Sequence, residues 1–327
     1  NSNNNNNNNN NNEKENVGTK TEGKNCVINS DFIIIEEQPT STNTMKKTID
    51  DSNGTIIQLV ELEGHFPSIT DEAKHFFKRQ IVESKQIALV TIAGQVGTGK
   101  SFLSECLTGR KGVFHVAHQT KSCTMGAQIG QLMPMKSFGV ENDETLVGLI
   151  DLQGQGDGTV SRDINVSVPM LMISSVLIFN CPPGRPAKGN FLNHFAVMLE
   201  CAKKIKPKTS KNVFGDLIVV CRDCNLDEKE IFTEFFEDED EDDVDTHEES
   251  EACNSRNKMR KTIKKCFQRI EVVALPLPHH DAGKRGLTPG DELLPEFMQK
   301  LNSLKMLIGK CCISPKGLVG ANGVDVP

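Results

Sequence analysis

Eight residues, Gly94-Gln95-Val96-Gly97-Thr98-Gly99-Lys100-Ser101, lie between a β-rich apolar run, 86–93, and a stretch with Phe102, Leu103 and Leu107 at helical spacing that stops at Gly109. Glycine, four residues, then Gly-Lys-Ser, placed after a strand and before a helix, admits few folds. The glycines let the loop curl until successive backbone N–H groups face inward, and the helix behind it adds its positive end. Such a loop cradles phosphate. Gly94, Gly97, Thr98 and Gly99 then form the wall, Lys100 reaches the β- and γ-oxygens of a nucleotide, and the Ser101 hydroxyl binds Mg²⁺.

The sequence around this run fixes the fold class. Thr70 reads as an N-cap, with Asp71 and Glu72 in the first turn and Ala73, Phe76, Phe77 and Ile81 at helical spacing. Buried strands are expected at 145–150, 174–179, 217–221 and 270–277, and helices at 191–205 and 291–308. Strands that are apolar throughout and separated by helices belong to a sheet covered on both faces. The expectation is an α/β P-loop NTPase with a mostly parallel central sheet flanked by helices, spanning 51–327.

Residues 1–50 are low in apolar content and include an unbroken Asn3 to Asn12. A segment that buries so little does not offset its ordering entropy, so a disordered arm is expected there. The first residue is not methionine, a hint of a fragment. Charge is uneven as well. Glu237 to Glu251 holds 11 acidic and no basic residues, and without them the formal charge of −7 becomes +4. Residues 237–255 read as a solvated acidic loop inserted in the domain, facing a basic block that begins at Arg256. Eleven cysteines without framework spacing, and no apolar leader, suit a reduced cytoplasmic protein. The longest apolar run, 168–181, falls short of the roughly 20 residues of a bilayer-spanning helix. Tyr and Trp are absent, which counts against nucleic-acid stacking.

Three further segments decide which nucleotide chemistry follows the loop. Asp151-Leu152-Gln153-Gly154 comes after the 145–150 strand and puts a carboxylate where a magnesium-bound water is held, with the Gly154 N–H toward a γ-phosphate. Thr124, in the polar stretch Ser122-Cys123-Thr124-Met125-Gly126, is a second hydroxyl for Mg²⁺. Asp223 follows the strand that ends Val219-Val220-Cys221-Arg222, and a carboxylate there accepts from guanine N1–H and its exocyclic amine. Cys221 and Cys224 have metal-ligand spacing but lack a second pair, and His279-His280-Asp281 reads as a loop.

These pieces, in this order, resemble the large GTPase domain of the guanylate-binding protein and atlastin group within the dynamin superfamily. Arg222-Asp223 carries most of the likeness, because that group uses Arg-Asp where small GTPases use Asn-Lys-x-Asp. The resemblance covers about residues 54–327 and extends to 57–60, 172–175 and 291–297. It implies GTP as substrate and Mg²⁺ as cofactor. It also implies Lys100, Ser122 and Thr124 in catalysis, Ser122 placing the attacking water, with Ser101, Thr124 and Asp151 around the metal and Gly154, Arg222 and Asp223 on the nucleotide. It implies a homodimer across the nucleotide face, and association with internal membranes only through regions outside this chain.

The sequence departs from the group at Gly97, where the group carries an arginine that stabilises charge on the transferring phosphoryl, worth on the order of 10³-fold in rate. Met125 and Gln153 replace a lysine and a glutamate. Two readings follow: a GTPase that dimerises across its nucleotide faces, or a GTP-regulated interaction module with little or no hydrolysis. A small-metabolite kinase would need an arginine-rich lid, and the segments at Arg162 and Arg185 are too sparse for one.

Overall fold

The computed structural model describes residues 56–63, 66–82, 86–110, 112–114, 124–155, 160–182, 192, 195, 214–239, 247–281, 293–313, 318–319 and 325–326. The expected arm at 1–50 lies outside them. The organising strand is β3 (Gln86–Ala93), whose Ala88, Val90 and Ile92 face one side of the sheet while Ala93 packs on the other. On one flank it pairs parallel with β6 (Thr145–Leu152), on the other with β7 (Val176–Cys181). Beyond β7 lie β8 (Asp216–Arg222) and β9 (Ile270–Leu275), also parallel. Antiparallel strands extend the β6 flank: β4 (Ala127–Ile129), β1 (Ile57–Glu63) and β2 (Phe66–Ile69), with β5 (Met133–Pro134) pairing β6 separately. The sheet is thus mixed, with a parallel core.

Side chains alternate between two apolar layers, as strand geometry requires. One layer joins Ile150, Leu177, Phe179, Leu217 and Val219 to α1 (Asp71–Val82), α3 (Val160–Ile173), α4 (Glu228–Phe236) and α5 (His247–Cys266). The other joins Val90, Val147, Ile178 and Val220 to α2 (Lys100–Thr108) and α6 (Pro295–Cys312). Chain order steps from β3 to β6 on one side and then to β7 on the other. Open α/β sheets bind ligands where that reversal occurs, outside the carboxyl ends of the strands. The loop 94–101 leaves β3 at that point.

Several expected boundaries shift for local reasons. The strand expected at 174–179 begins at Val176: Ser174 closes the end of α3, its N–H and Oγ both donating to Met170 O, and Ser175 N already donates to Leu89 O of β3. The strand expected to 277 stops at Leu275, before Pro276. The helix expected over 291–308 runs Pro295–Cys312, starting at a proline in its first turn behind Leu294. Of the helix expected at 191–205, only Leu192 and Phe195 are described, both helical and buried.

The larger correction concerns 237–255. Residues 247–255 belong to α5. Its buried stripe is Cys253, Asn257, Arg260, Ile263 and Cys266, a helical repeat carrying too many polar side chains to read as an apolar face. Glu239 is held on that stripe. Its Oε1 accepts from Arg260 Nη2 at 2.6 Å, its Oε2 from Arg256 Nε at 2.8 Å, and its backbone exchanges two hydrogen bonds with Asn257. Arg260 is fully buried and also donates to Phe235 O at 3.1 Å. Burial alone would raise the Glu239 carboxyl, but both arginines outweigh it and hold the carboxyl at about 2. Residues 240–246 lie outside those described.

Candidate functional site

The candidate phosphate loop is shaped by its own hydrogen bonds. Lys100 Nζ and Thr98 Oγ1 both donate to the Gln95 carbonyl, each at 2.9 Å. Gln95 bridges in parallel to Gln155, with Val96 N donating to Gln155 O at 3.0 Å and Gln155 N to Gly94 O at 3.1 Å. Gly154 packs on Val96, whose backbone N would lie 2.9 Å from an added Cβ. The segment after β6 is therefore zipped to the loop. Gly99, at φ 77, is the N-cap of α2. A Cβ there would also displace the Arg222 guanidinium from its place against the loop.

Three candidate metal-side residues converge. Ser101 Oγ donates to Asp151 Oδ2 at 2.7 Å, and Thr124 Oγ1 donates to the same oxygen at 2.8 Å. Asp151 is fully buried and its Oδ1 makes no hydrogen bond. Burial pushes its carboxyl up, opposed by the Lys100 charge and then by the two hydroxyls. Lys100 is itself buried, which lowers its ammonium, while Asp151 acts to raise it. Two hydroxyls and a carboxylate are the oxygen set that Mg²⁺ takes, and an unused buried carboxylate oxygen is what an arriving cation or its bound water would satisfy. The residues fit the metal.

Thr124 reaches this point because the short strap behind it is pinned. Gly126 N donates to Gln153 Oε1 at 3.0 Å, and Gln153 N donates to Gly126 O at 2.8 Å. From β1, Gln58 Nε2 donates to Met125 O at 2.6 Å. Ser122, the expected water-placing residue, lies outside the described residues.

At the far side, β8 delivers Arg222 and Asp223. Asp223 has φ 53, the sole positive φ of a non-glycine residue among those described, and its buried Oδ1 makes no hydrogen bond. The Asp223 carboxylate thus follows a core strand on a left-handed backbone, with Arg222 Nη2 as an ion-pair partner at 4.0 Å. Arg222 also reaches the loop: its Nη1 donates to Thr98 O at 2.8 Å. Asn180 Nδ2, from the end of β7, donates to the same carbonyl at 2.8 Å. Sequence reasoning noted Asn180 as a break in an apolar run and missed its role. The available signal was a buried amide closing a strand at the same edge of the sheet as the loop.

The sequence model of the guanylate-binding protein N-terminal domain matches residues 70–311. The chain belongs to the guanylate-binding protein family. Guanylate-binding protein 5 of Homo sapiens is 28% identical over 242 residues, 67% of this chain and 39% of the human protein. Guanylate-binding protein 6 of Mus musculus is 28% identical over 162 residues, 49% of this chain and 25% of the mouse protein. The chain thus spans well under half the length of these relatives. Among solved structures, a bacterial selenocysteine-specific elongation factor is similar with a TM-score of 0.35 and 15% identity, over 72% of this chain and 30% of that one.

In this guanylate-binding protein domain, seven expected residues from four parts of the chain meet at one edge of the sheet: Thr98, Gly99, Lys100 and Ser101 from the loop, Thr124 from the strap, Asp151 from β6 and Arg222 from β8. Gly97 carries a φ of 75 and has open space where a side chain would start. Among the described residues, no helix is long and apolar enough to cross a membrane.

Proposed function

We propose that this domain binds GTP and hydrolyses it with Mg²⁺. The observation that carries the reading is the meeting of the Ser101 and Thr124 hydroxyls on one oxygen of Asp151, beside Lys100 at the mouth of the loop. On GTP binding, Lys100 exchanges the Gln95 carbonyl for phosphate oxygens, and the loop N–H groups close around the β-phosphate. Ser101 and Thr124, with Asp151 behind them, would hold Mg²⁺, which would supply charge neutralisation for the phosphates. Gly154, already packed on the loop, offers its N–H at the γ-phosphate end. Asp223 reads guanine through N1–H and the exocyclic amine, a donor pair that adenine lacks. Ser122 orients the attacking water.

The second reading rests on Gly97. With no side chain there, the loop supplies no arginine to the developing charge, a loss on the order of 10³-fold in rate. A domain of this kind binds GTP and turns over slowly unless another arginine completes the site. Dimerisation across the nucleotide faces is the route by which a second subunit would do so. The eight described cysteines are all free and buried, in keeping with a reducing cytoplasm.

The test is GTP turnover at several protein concentrations, alongside the affinity for a fluorescent GTP analogue with and without Mg²⁺. Turnover per molecule that rises with concentration supports the dimerising GTPase. Tight binding with negligible turnover at every concentration supports the module, and no binding at all sinks both.

A further inference from the structure

One loop carbonyl, that of Thr98, is held from outside by two side chains. Asn180 Nδ2 and Arg222 Nη1 both donate to it at 2.8 Å, and both residues are buried. A peptide unit is planar and trans, so pulling the Thr98 carbonyl outward turns the Gly99 N–H the opposite way, toward the loop interior. Two donors that never touch a phosphate thus aim one of the N–H groups that does. The Arg222 guanidinium also lies over the Phe102 ring, 5.1 Å from its centroid, and its Nη2 stands 4.0 Å from Asp223 Oδ1. It therefore meets the loop, the first turn of α2 and the base-reading carboxylate at once.

We infer that Arg222 is a positioning residue coupling the base site to the phosphate loop, and that Asn180 is a positioning residue for the loop alone. The inference deepens the GTP-binding reading and rests on it. The charge of Asp223 draws on the guanidinium through Nη2 while Nη1 holds the Thr98 carbonyl. Guanine donors on Asp223 take up part of that charge and leave more of the guanidinium's donor strength to Thr98, which orients Gly99 for the phosphate. The correct base thereby tightens the grip on the phosphates. Lysine cannot replace arginine here, since a single ammonium lacks the planar fork that serves two acceptors and stacks on a ring.

The experiment measures GDP, IDP and pyrophosphate affinity on the wild type, Arg222→Lys and Asn180→Ala. IDP lacks the 2-amino group that Asp223 would read. In Arg222→Lys, GDP affinity is expected to fall ~30-fold and the GDP-to-IDP preference to shrink at least ~fivefold, because coupled contacts are non-additive. In Asn180→Ala, all three ligands should weaken together by ~tenfold, the loss of one buried hydrogen bond. Equal losses of GDP and IDP in Arg222→Lys would mean a merely loosened loop and overturn the coupling. A narrowed preference in Asn180→Ala would overturn the division of labour. Should Arg222→Lys fail to fold, Asp223→Ala decides: pyrophosphate affinity must rise although Asp223 is not a phosphate ligand, and an unchanged or lowered value overturns the coupling. A wild type that binds none of the three removes the GTP reading along with the inference.

Discussion

Two carboxylates in this molecule, Asp151 and Glu239, are both held by other side chains, and they are held in opposite ways. Asp151 has two hydroxyls on one oxygen, nothing on the other, and a carboxyl pushed up by burial. Glu239 has a guanidinium on each oxygen, both main-chain groups bonded to Asn257, and a carboxyl held at about 2. The first is incomplete within its own chain and the second is complete. A buried charge left incomplete is costly, and it persists where a ligand finishes it. Charge that serves structure and charge that serves function are therefore told apart by what remains unsatisfied, not by burial alone.

The sharpest way to break this contrast is to neutralise each carboxylate and compare folding with binding. Asp151→Asn keeps the shape and removes the charge the metal needs. Mg²⁺-dependent turnover should fall on the order of 10²-fold to 10³-fold, the scale for one lost charge-stabilising group. The melting temperature should hold or rise, because the substitution removes a buried charge with one oxygen left without a hydrogen bond. A clear loss of stability would make Asp151 a structural residue and erase the contrast.

Arg260→Met is the converse. It removes a fully buried cation and leaves Glu239 with Arg256 alone, at an expected cost of about 3 kcal/mol in unfolding free energy. GTP-analogue affinity should be unchanged, since this cluster sits on α5 and not on the loop. Chemical denaturation and nucleotide titration on the same preparation decide it.

The two regions were also unequally legible. The loop 94–101 declares itself because backbone cradling of a phosphate requires glycines, a lysine and a hydroxyl at fixed spacing. Asp151 and Thr124 could be expected from their order behind it. The β3 bounds, 86–93, emerged as expected because a run apolar throughout and closed by glycine has one reading. Nothing comparable identifies α5. Its buried stripe includes Asn257 and Arg260, so its periodicity reads as polar, and eleven acids from Glu237 to Glu251 suggest a solvated loop. Arg256 and Arg260 neutralise Glu239 from 17 and 21 residues away, a pairing that only the fold brings about. Asn180 and Gln153 were missed for the same reason, since an amide's role depends on which backbone groups the fold presents to it.

Acid should expose the Glu239 cluster more gently. Its carboxyl lies below the ordinary carboxylate range in the folded state, so its contribution is present at pH values above the unfolded value and is lost as pH falls toward 2. The side chain keeps 22% of its surface exposed, and allowing for screening the loss is about 1–2 kcal/mol. Urea denaturation at pH 6 and pH 3, on the wild type and on Glu239→Gln, should show a steeper decline in the wild type. Parallel declines would mean that Glu239 contributes no pH-dependent stability.

The smallest effect is expected at Gly97 and bears on the choice between the two functional readings. Among the described residues nothing lies within 4 Å of a Cβ added there, so the obstacle to alanine is the φ of 75. Gly97→Ala should cost about 1 kcal/mol in stability, the price of the left-handed conformation for an L-residue. GTP-analogue affinity should stay within about twofold, well under one hydrogen bond. Gly97→Arg carries the same backbone cost, so the alanine variant isolates what the guanidinium adds. If turnover rises in the arginine variant and not in the alanine one, the natural site lacks a charge-stabilising group and the slow module gains ground. If neither variant turns over faster than a wild type whose rate climbs with protein concentration, the missing charge already comes from a second subunit.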